Sequence, residues 1–255
     1  MKKTITIIKA ALFLVILIMF TSFLFAVPSG PSSINESTAQ TRGAAPPVQL
    51  NAEAGNITAI NIVSTSATRS WQGYYGNITG AITLDDASNY TMYDWVLSSP
   101  QGEIYASNSS SVTWIKVKCV NYTAPTTGNG SEMINLSVLE SMFGMNSDDV
   151  DGVDETFNAT YSDAAGFYVG DVHINVNDSC PMTYMYVNES YQMSRFKEIL
   201  LTDNVSIIFT ALLEEDFDDY KPGSETSDFQ LIVGEDEHPT GSGETTPYYF
   251  FAELE

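Results

Sequence analysis

Apolar side chains recur at every second position in six separate stretches of this 255-residue chain, and that period constrains its fold more than any other feature. Ile78, Ile82 and Leu84 share one parity ahead of the Asp85-Asp86 turn, and Tyr93, Trp95 and Leu97 share another. Ile115, Val117 and Cys119 alternate with Lys116 and Lys118; Val172, Ile174 and Val176 alternate with Asp171, His173 and Asn175. Val205, Ile207, Phe209, Ala211 and Leu213 form a longer stripe, as do Tyr248, Phe250, Ala252 and Leu254. Successive side chains of a strand point to opposite faces, so each stripe predicts a half-buried strand. Turn residues at short intervals then predict a mainly β, sandwich-like domain. Two segments read instead as short helices: Leu136 to Met145, with Leu139, Met142 and Phe143 at helical spacing, and Tyr191 to Leu201, with Met193, Phe196 and Leu200 on one side.

The N-terminus has a different composition. Lys2, Lys3 and Lys9 precede an apolar run from Ala10 to Val27 broken only by Thr21 and Ser22. A basic stretch followed by an apolar one is the layout of a secretory signal, with Ala26 ahead of a cut. The run is also close to the length that crosses a bilayer, so a retained anchor or pilin-type processing near Ala10 are the alternatives. Each places the remainder outside the cytoplasm. The expected organisation is therefore a signal peptide or membrane anchor over 1–26, a Pro/Ser/Thr-rich linker over 27–50 and an extracellular β-rich domain over 51–255.

Asn-X-Ser/Thr triplets begin at Asn35, Asn56, Asn77, Asn89, Asn108, Asn121, Asn129, Asn135, Asn158, Asn177, Asn188 and Asn204. Ser and Thr are about a fifth of the residues, so chance would place about three such triplets on the sixteen Asn. The excess predicts an N-glycosylated protein whose modified Asn all face solvent. Cys119 and Cys180 are the only cysteines, and an even count outside the cytoplasm predicts one disulfide.

Charge narrows the partners. The net charge is −22, and beyond the first ten residues only 7 basic residues stand against 32 acidic ones. Such a surface repels phosphate backbones and acidic lipids, which argues against nucleic acid as a partner and leaves membrane contact to the N-terminal segment. Self-association or other envelope components remain as partners, beside the N-linked glycans. The densest acidic loop, Ser147 to Glu155, sets Asp148, Asp149, Asp151, Asp154 and Glu155 around Gly152 and is the candidate Ca²⁺ site. Ser147, Asp149, Asp151 and Gly152 match the first half of an EF-hand loop, but its twelfth position is Asn158, not Glu. Glu214 to Asp219 and Glu235 to Glu237 read as solvated turns. No other cofactor is indicated. Catalysis has little to draw on: His173 falls on the polar side of a strand, His238 precedes Pro239, and Ser194 with Lys197 is an isolated SxxK match. The expectation is a protein that is not an enzyme.

The chain also carries Trp71 to Gly80 (WQGYYGNITG), Tyr93-Asp94-Trp95, Gly102 to Ser107 (GEIYAS), Asp154 to Phe157 (DETF), Phe196 to Leu201 (FKEILL), Asp228 to Val233 (DFQLIV) and Tyr248 to Leu254 (YYFFAEL). Together these resemble a group of uncharacterised secreted archaeal surface proteins over residues 55–255. The resemblance implies a cell-surface location and carries no biochemical activity with it. Together these readings predict a secreted or surface-displayed, glycosylated, acidic protein with a structural or adhesive role. The alternatives are a calcium- or carbohydrate-binding module, a pilin-like subunit and, last, an extracellular hydrolase.

Overall fold

The computed structural model describes residues 27–36, 39–43, 45–97, 99–125, 133–223, 226–236 and 245–254. The expected signal or anchor, residues 1–26, lies outside them, as do Asn129, Glu237 and His238. Among the described residues no helix is long and apolar enough to cross a membrane.

Strands dominate. In chain order they are β1 (Trp71–Gly76), β2 (Ala81–Asp85), β3 (Thr91–Val96), β4 (Gly102–Ser107), β5 (Lys118–Cys119), β6 (Ala159–Thr160), β7 (Phe167–Val169), β8 (Val172–Ile174) and β9 (Pro181–Tyr184). There follow β10 (Tyr186–Val187), β11 (Ser190–Tyr191), β12 (Lys197–Thr202), β13 (Ile207–Leu212), β14 (Phe217–Asp218), β15 (Thr226–Ser227), β16 (Phe229–Gly234) and β17 (Tyr249–Leu254). Two short helices interrupt them, α1 (Leu136–Met142) and α2 (Val153–Thr156).

A seven-stranded antiparallel sheet forms the centre, in the order β17-β4-β13-β12-β9-β6, with β5 also on β12. Strands β12 and β13 lie in its middle and are buried on both faces. Leu200, Ile207, Phe209 and Ala211 point into one core with Leu139, Phe143, Val153, Phe157, Leu231 and Val233. Ile199, Leu201 and Ile208 point into the other, with Tyr105, Tyr161, Phe167, Val169, Ile174 and Met182. The first core is roofed by α1, α2 and the two-stranded ribbon β1–β16; the second is closed by the β7–β8 hairpin. The layers facing the sheet are thus ribbons and short helices, not a second large sheet.

Two-sided burial explains where the periodicity misled. Lys197 to Thr202 is a central strand, not the end of a helix over Tyr191 to Leu201, because a strand covered on both faces is apolar without interruption. Ile115 falls in a turn of 3₁₀ helix, Trp114–Lys116, so the alternation there begins only at β5. Helix α1 forms as expected: the Asn135 side chain accepts the Val138 N–H at 3.1 Å, and Leu139 and Phe143 face the core.

The two cysteines are joined, with Cα atoms 4.7 Å apart. Strand β5 pairs with the Leu201–Thr202 end of β12 and β9 with its Lys197–Ile199 end, so two short strands share the edge away from β13. Cys119 ends the first and Cys180 precedes the second. The bridge therefore clamps the junction of two strands that hold few ladder bonds of their own.

Two regions stand away from this body. From Ala39 to Arg69 the described chain carries no strand or helix and is exposed, with Ile57, Ile60, Ile62 and Val63 in solvent. The β2–β3 hairpin projects with every residue of both strands exposed. Ile82 lies opposite Trp95 and Leu84 opposite Tyr93, so these four share one face, and the Tyr93 and Trp95 rings stand 4.9 Å apart.

Phe209 is the hub of the first core, its ring about 6 Å from those of Trp71, Phe143, Phe157 and Tyr248. Phe209→Ala is expected to destabilise by about 3–5 kcal/mol in denaturant unfolding. Replacing Cys119 and Cys180 together by Ser frees a loop spanning 61 positions and is expected to lower stability by about 4 kcal/mol, read as a lower urea midpoint.

Candidate functional site

Sequence offered the acidic loop as the site, and the fold sets it between two short helices that pack on the sheet. Gly152 caps the start of α2, whose first turn presents Asp154 and Glu155. Gly152 has its Cα hydrogen where a Cβ would meet Glu155 Oε2 at 2.6 Å, so the loop closes tightly over that carboxyl. Asp149 turns the chain by accepting the Asn146 N–H at 2.6 Å. Asp151 does something else: its carboxyl accepts from Thr68 and its carbonyl from the Trp71 indole at 2.7 Å, tying the loop to the start of β1. Asp148 is exposed on the rim. Among the described residues no three His, Cys, Asp or Glu side chains are grouped so as to hold a metal ion. The five proposed ligands are spread over roles of capping, turning and tethering.

A residue not among them joins the cluster. Glu140, on α1, is 7% exposed, and its Oε1 is buried without a hydrogen-bond partner. Burial first, then Asp154, Glu155 and Asp149, push its carboxyl above the usual range. Asp154 Oδ1 is likewise buried and unpartnered. The adjoining Asp154 carboxyl, with lesser help from burial and nearby negative charge, raises Glu155. Tyr122 overlooks the group, but its hydroxyl donates to the Phe157 carbonyl at 3.2 Å; burial and the acids raise it. The signal for Glu140 was present in sequence. It stands one turn from Leu136 and Phe143, on the face of the helix that the apolar spacing had assigned to the core.

Beside this cluster, where β5, β6 and the segment before β9 diverge, lies a cleft of about 580 Å³. Asp154, Asp178, Asn121, Asn158, Thr160, Ser179 and Tyr122 supply its polar groups, with the disulfide at one wall. No Lys, Arg or His lines it. The walls can accept hydrogen bonds from hydroxyl-rich or cationic groups.

The remaining acids of the sequence sort by surroundings. Glu214 pairs with Arg195 at 2.7 Å, Glu215 accepts from Ser99, and Asp218 accepts from Asn188 at 3.0 Å. Asp219 is buried rather than solvated and caps Lys221 at 2.6 Å. His173 is exposed on β8, stacked on Tyr168, with Nε2 3.0 Å from the Ala165 carbonyl. Lys197 pairs with Asp163 at 2.5 Å, remote in role from any SxxK chemistry.

The sequon asparagines divide by exposure. Asn35, Asn56, Asn77, Asn89, Asn121, Asn158, Asn177 and Asn188 are exposed, and Asn108 and Asn204 half-buried. Asn121 accepts both the N–H and the hydroxyl of Thr123 at 3.1 Å. Asn135 differs from all of these. It is 8% exposed, its Oδ1 caps α1, and its Nδ2 donates to the Ala124 carbonyl at 2.6 Å. A sugar on that nitrogen would need both the space and the hydrogen bond.

Compared with known proteins, the chain matches no family model, no curated protein and no solved structure.

Glycopeptide mapping of the native protein is expected to find Asn135 bare. Asn135→Ala is expected to cost about 2 kcal/mol in denaturant unfolding, from the lost cap and the Ala124 carbonyl left dry.

Proposed function

We propose that this chain is an N-glycosylated, acidic protein of the cell exterior with a structural or adhesive role, built as a sandwich-like β domain behind an exposed linker. The observation that carries the reading is the placement of the sequons. Eight of the eleven described acceptor asparagines are exposed, on linker, hairpin turns and loops around the whole domain. Twelve acceptor triplets on sixteen Asn exceed the roughly three that chance would place, and solvent exposure leaves most of them open to modification. The joined cysteines support the same reading, since disulfides persist in oxidising surroundings.

The projecting β2–β3 hairpin favours interaction over a purely passive role. Trp95 is 51% and Tyr93 59% exposed, on a ribbon that contributes no buried residue to either core. Paired aromatic rings on a free ribbon are a platform for sugars or for another protein.

The intact mass of protein purified from its own source, non-reduced and then reduced and alkylated, tests the proposal. Mass beyond the polypeptide in sugar-sized steps is expected, with two thiols appearing only on reduction. An unmodified polypeptide mass would remove the glycoprotein reading.

A further inference from the structure

We propose that this fold is proton-loaded: it takes up a proton on folding at Glu198, a fully buried carboxyl with a single donor, and is most stable in a mildly acidic medium. The proposal concerns the medium the chain is built for and stands whether or not it carries glycans.

Glu198 carries the argument furthest. It lies on β12, opposite Ala211 of β13 and Thr183 of β9, and is fully buried. Its Oε2 accepts the Ile232 N–H of β16 at 2.7 Å, and its Oε1 has no partner. None of Ala211, Thr183 and Ile232 titrates. The titratable group in its field is Tyr248, ahead of β17, whose hydroxyl donates to the Gly234 carbonyl at 2.7 Å instead. Tyr74 and Glu235 act on Tyr248 in turn. A dry carboxylate with one donor and no cation is costly to keep ionised, and taking a proton costs less. Burial accordingly drives the Glu198 carboxyl well above the usual range, the Ile232 N–H opposing it only in part.

The sign follows from linkage. A carboxyl whose folded pKa is raised gives stability that is present in acid and lost as pH rises through that value. Glu198 is shifted this way. Asp203 sets the lower limit. Burial works to raise it, but donors from Thr113, Ser206 and Val205 outweigh that and hold it below the usual range. Its contribution is lost as pH falls through the lowered value. The optimum lies between the two.

Repulsion among surface acids would also favour acid, but salt screens it and leaves buried groups untouched. The test is therefore thermal unfolding of the full disulfide-intact protein and of E198Q, from pH 3.5 to 7.5, in 0.1 and 1 M NaCl. The midpoint is expected to rise by roughly 5 °C or more from pH 7.5 to pH 4.5 in both salts. E198Q is expected to exceed the parent at pH 7.5 and to lose part of that slope. A midpoint independent of pH, or a slope that vanishes in 1 M NaCl, overturns the proposal. Should E198Q not fold, calorimetry of the parent at pH 6 in 1 M NaCl, in two buffers of different ionisation enthalpy, decides. Proton release on unfolding supports the proposal, and none, or uptake, overturns it.

Discussion

Burial of β12 and β13 on both faces is the constraint from which the rest of the molecule follows. Two adjacent strands with apolar side chains up and down need a roof and a floor, and this short chain has no second large sheet to provide either. The roof is assembled from the β1–β16 ribbon and two helices of seven and four residues; the floor is a hairpin of three-residue strands. Pieces of that size are not stable alone. They hold because large rings close each core: Trp71, Phe143 and Phe157 reach Phe209 above, and Phe167 of the hairpin packs on Tyr161 below. Tyr105 packs 5.2 Å from Trp114 and gives its hydroxyl to Glu253 at 3.0 Å.

The same constraint decides what could be read in advance. Alternating stripes were legible: β3, β8, β13 and β17 fall on theirs, and the Leu136 helix on its spacing. The Phe196 to Leu201 run was not: Met193, Phe196 and Leu200 fall at helical spacing, and an apolar segment covered on both faces shows no polar alternation to mark it as a strand. Its one acid, Glu198, is the least accessible carboxyl among the described residues. Exposure itself was also invisible. Ile82, Leu84, Tyr93 and Trp95 form a good amphipathic ribbon, yet nothing in their pattern says that the apolar side meets solvent. Among the sequons, pattern alone made Asn135 equal to the other eleven; only the helix it begins shows that its amide is spent inside.

Acidity means different things at different depths. On the surface, carboxylates are paired with Arg195, Lys197 and Asn188 or used to cap turns, each worth little. Inside, a carboxyl exchanges a hydration shell for one or two backbone donors, as Glu253 does by accepting the Gly170 N–H on both oxygens at 3.0 and 2.9 Å.

The entry of the chain into the domain has a mechanical side. Ser29 exchanges two backbone hydrogen bonds with Ala252, at 3.1 and 2.9 Å, on the outer edge of β17, while the first strand begins only at Trp71. A pull applied ahead of Ser29 meets those two bonds first and unzips them at low force. The intervening forty or so residues then pay out, on the order of 130 Å of length, before tension reaches Asp151's hold on Thr68 and Trp71. The domain thus sits behind a built-in shock absorber, and its cores feel a sudden load only after that slack is gone.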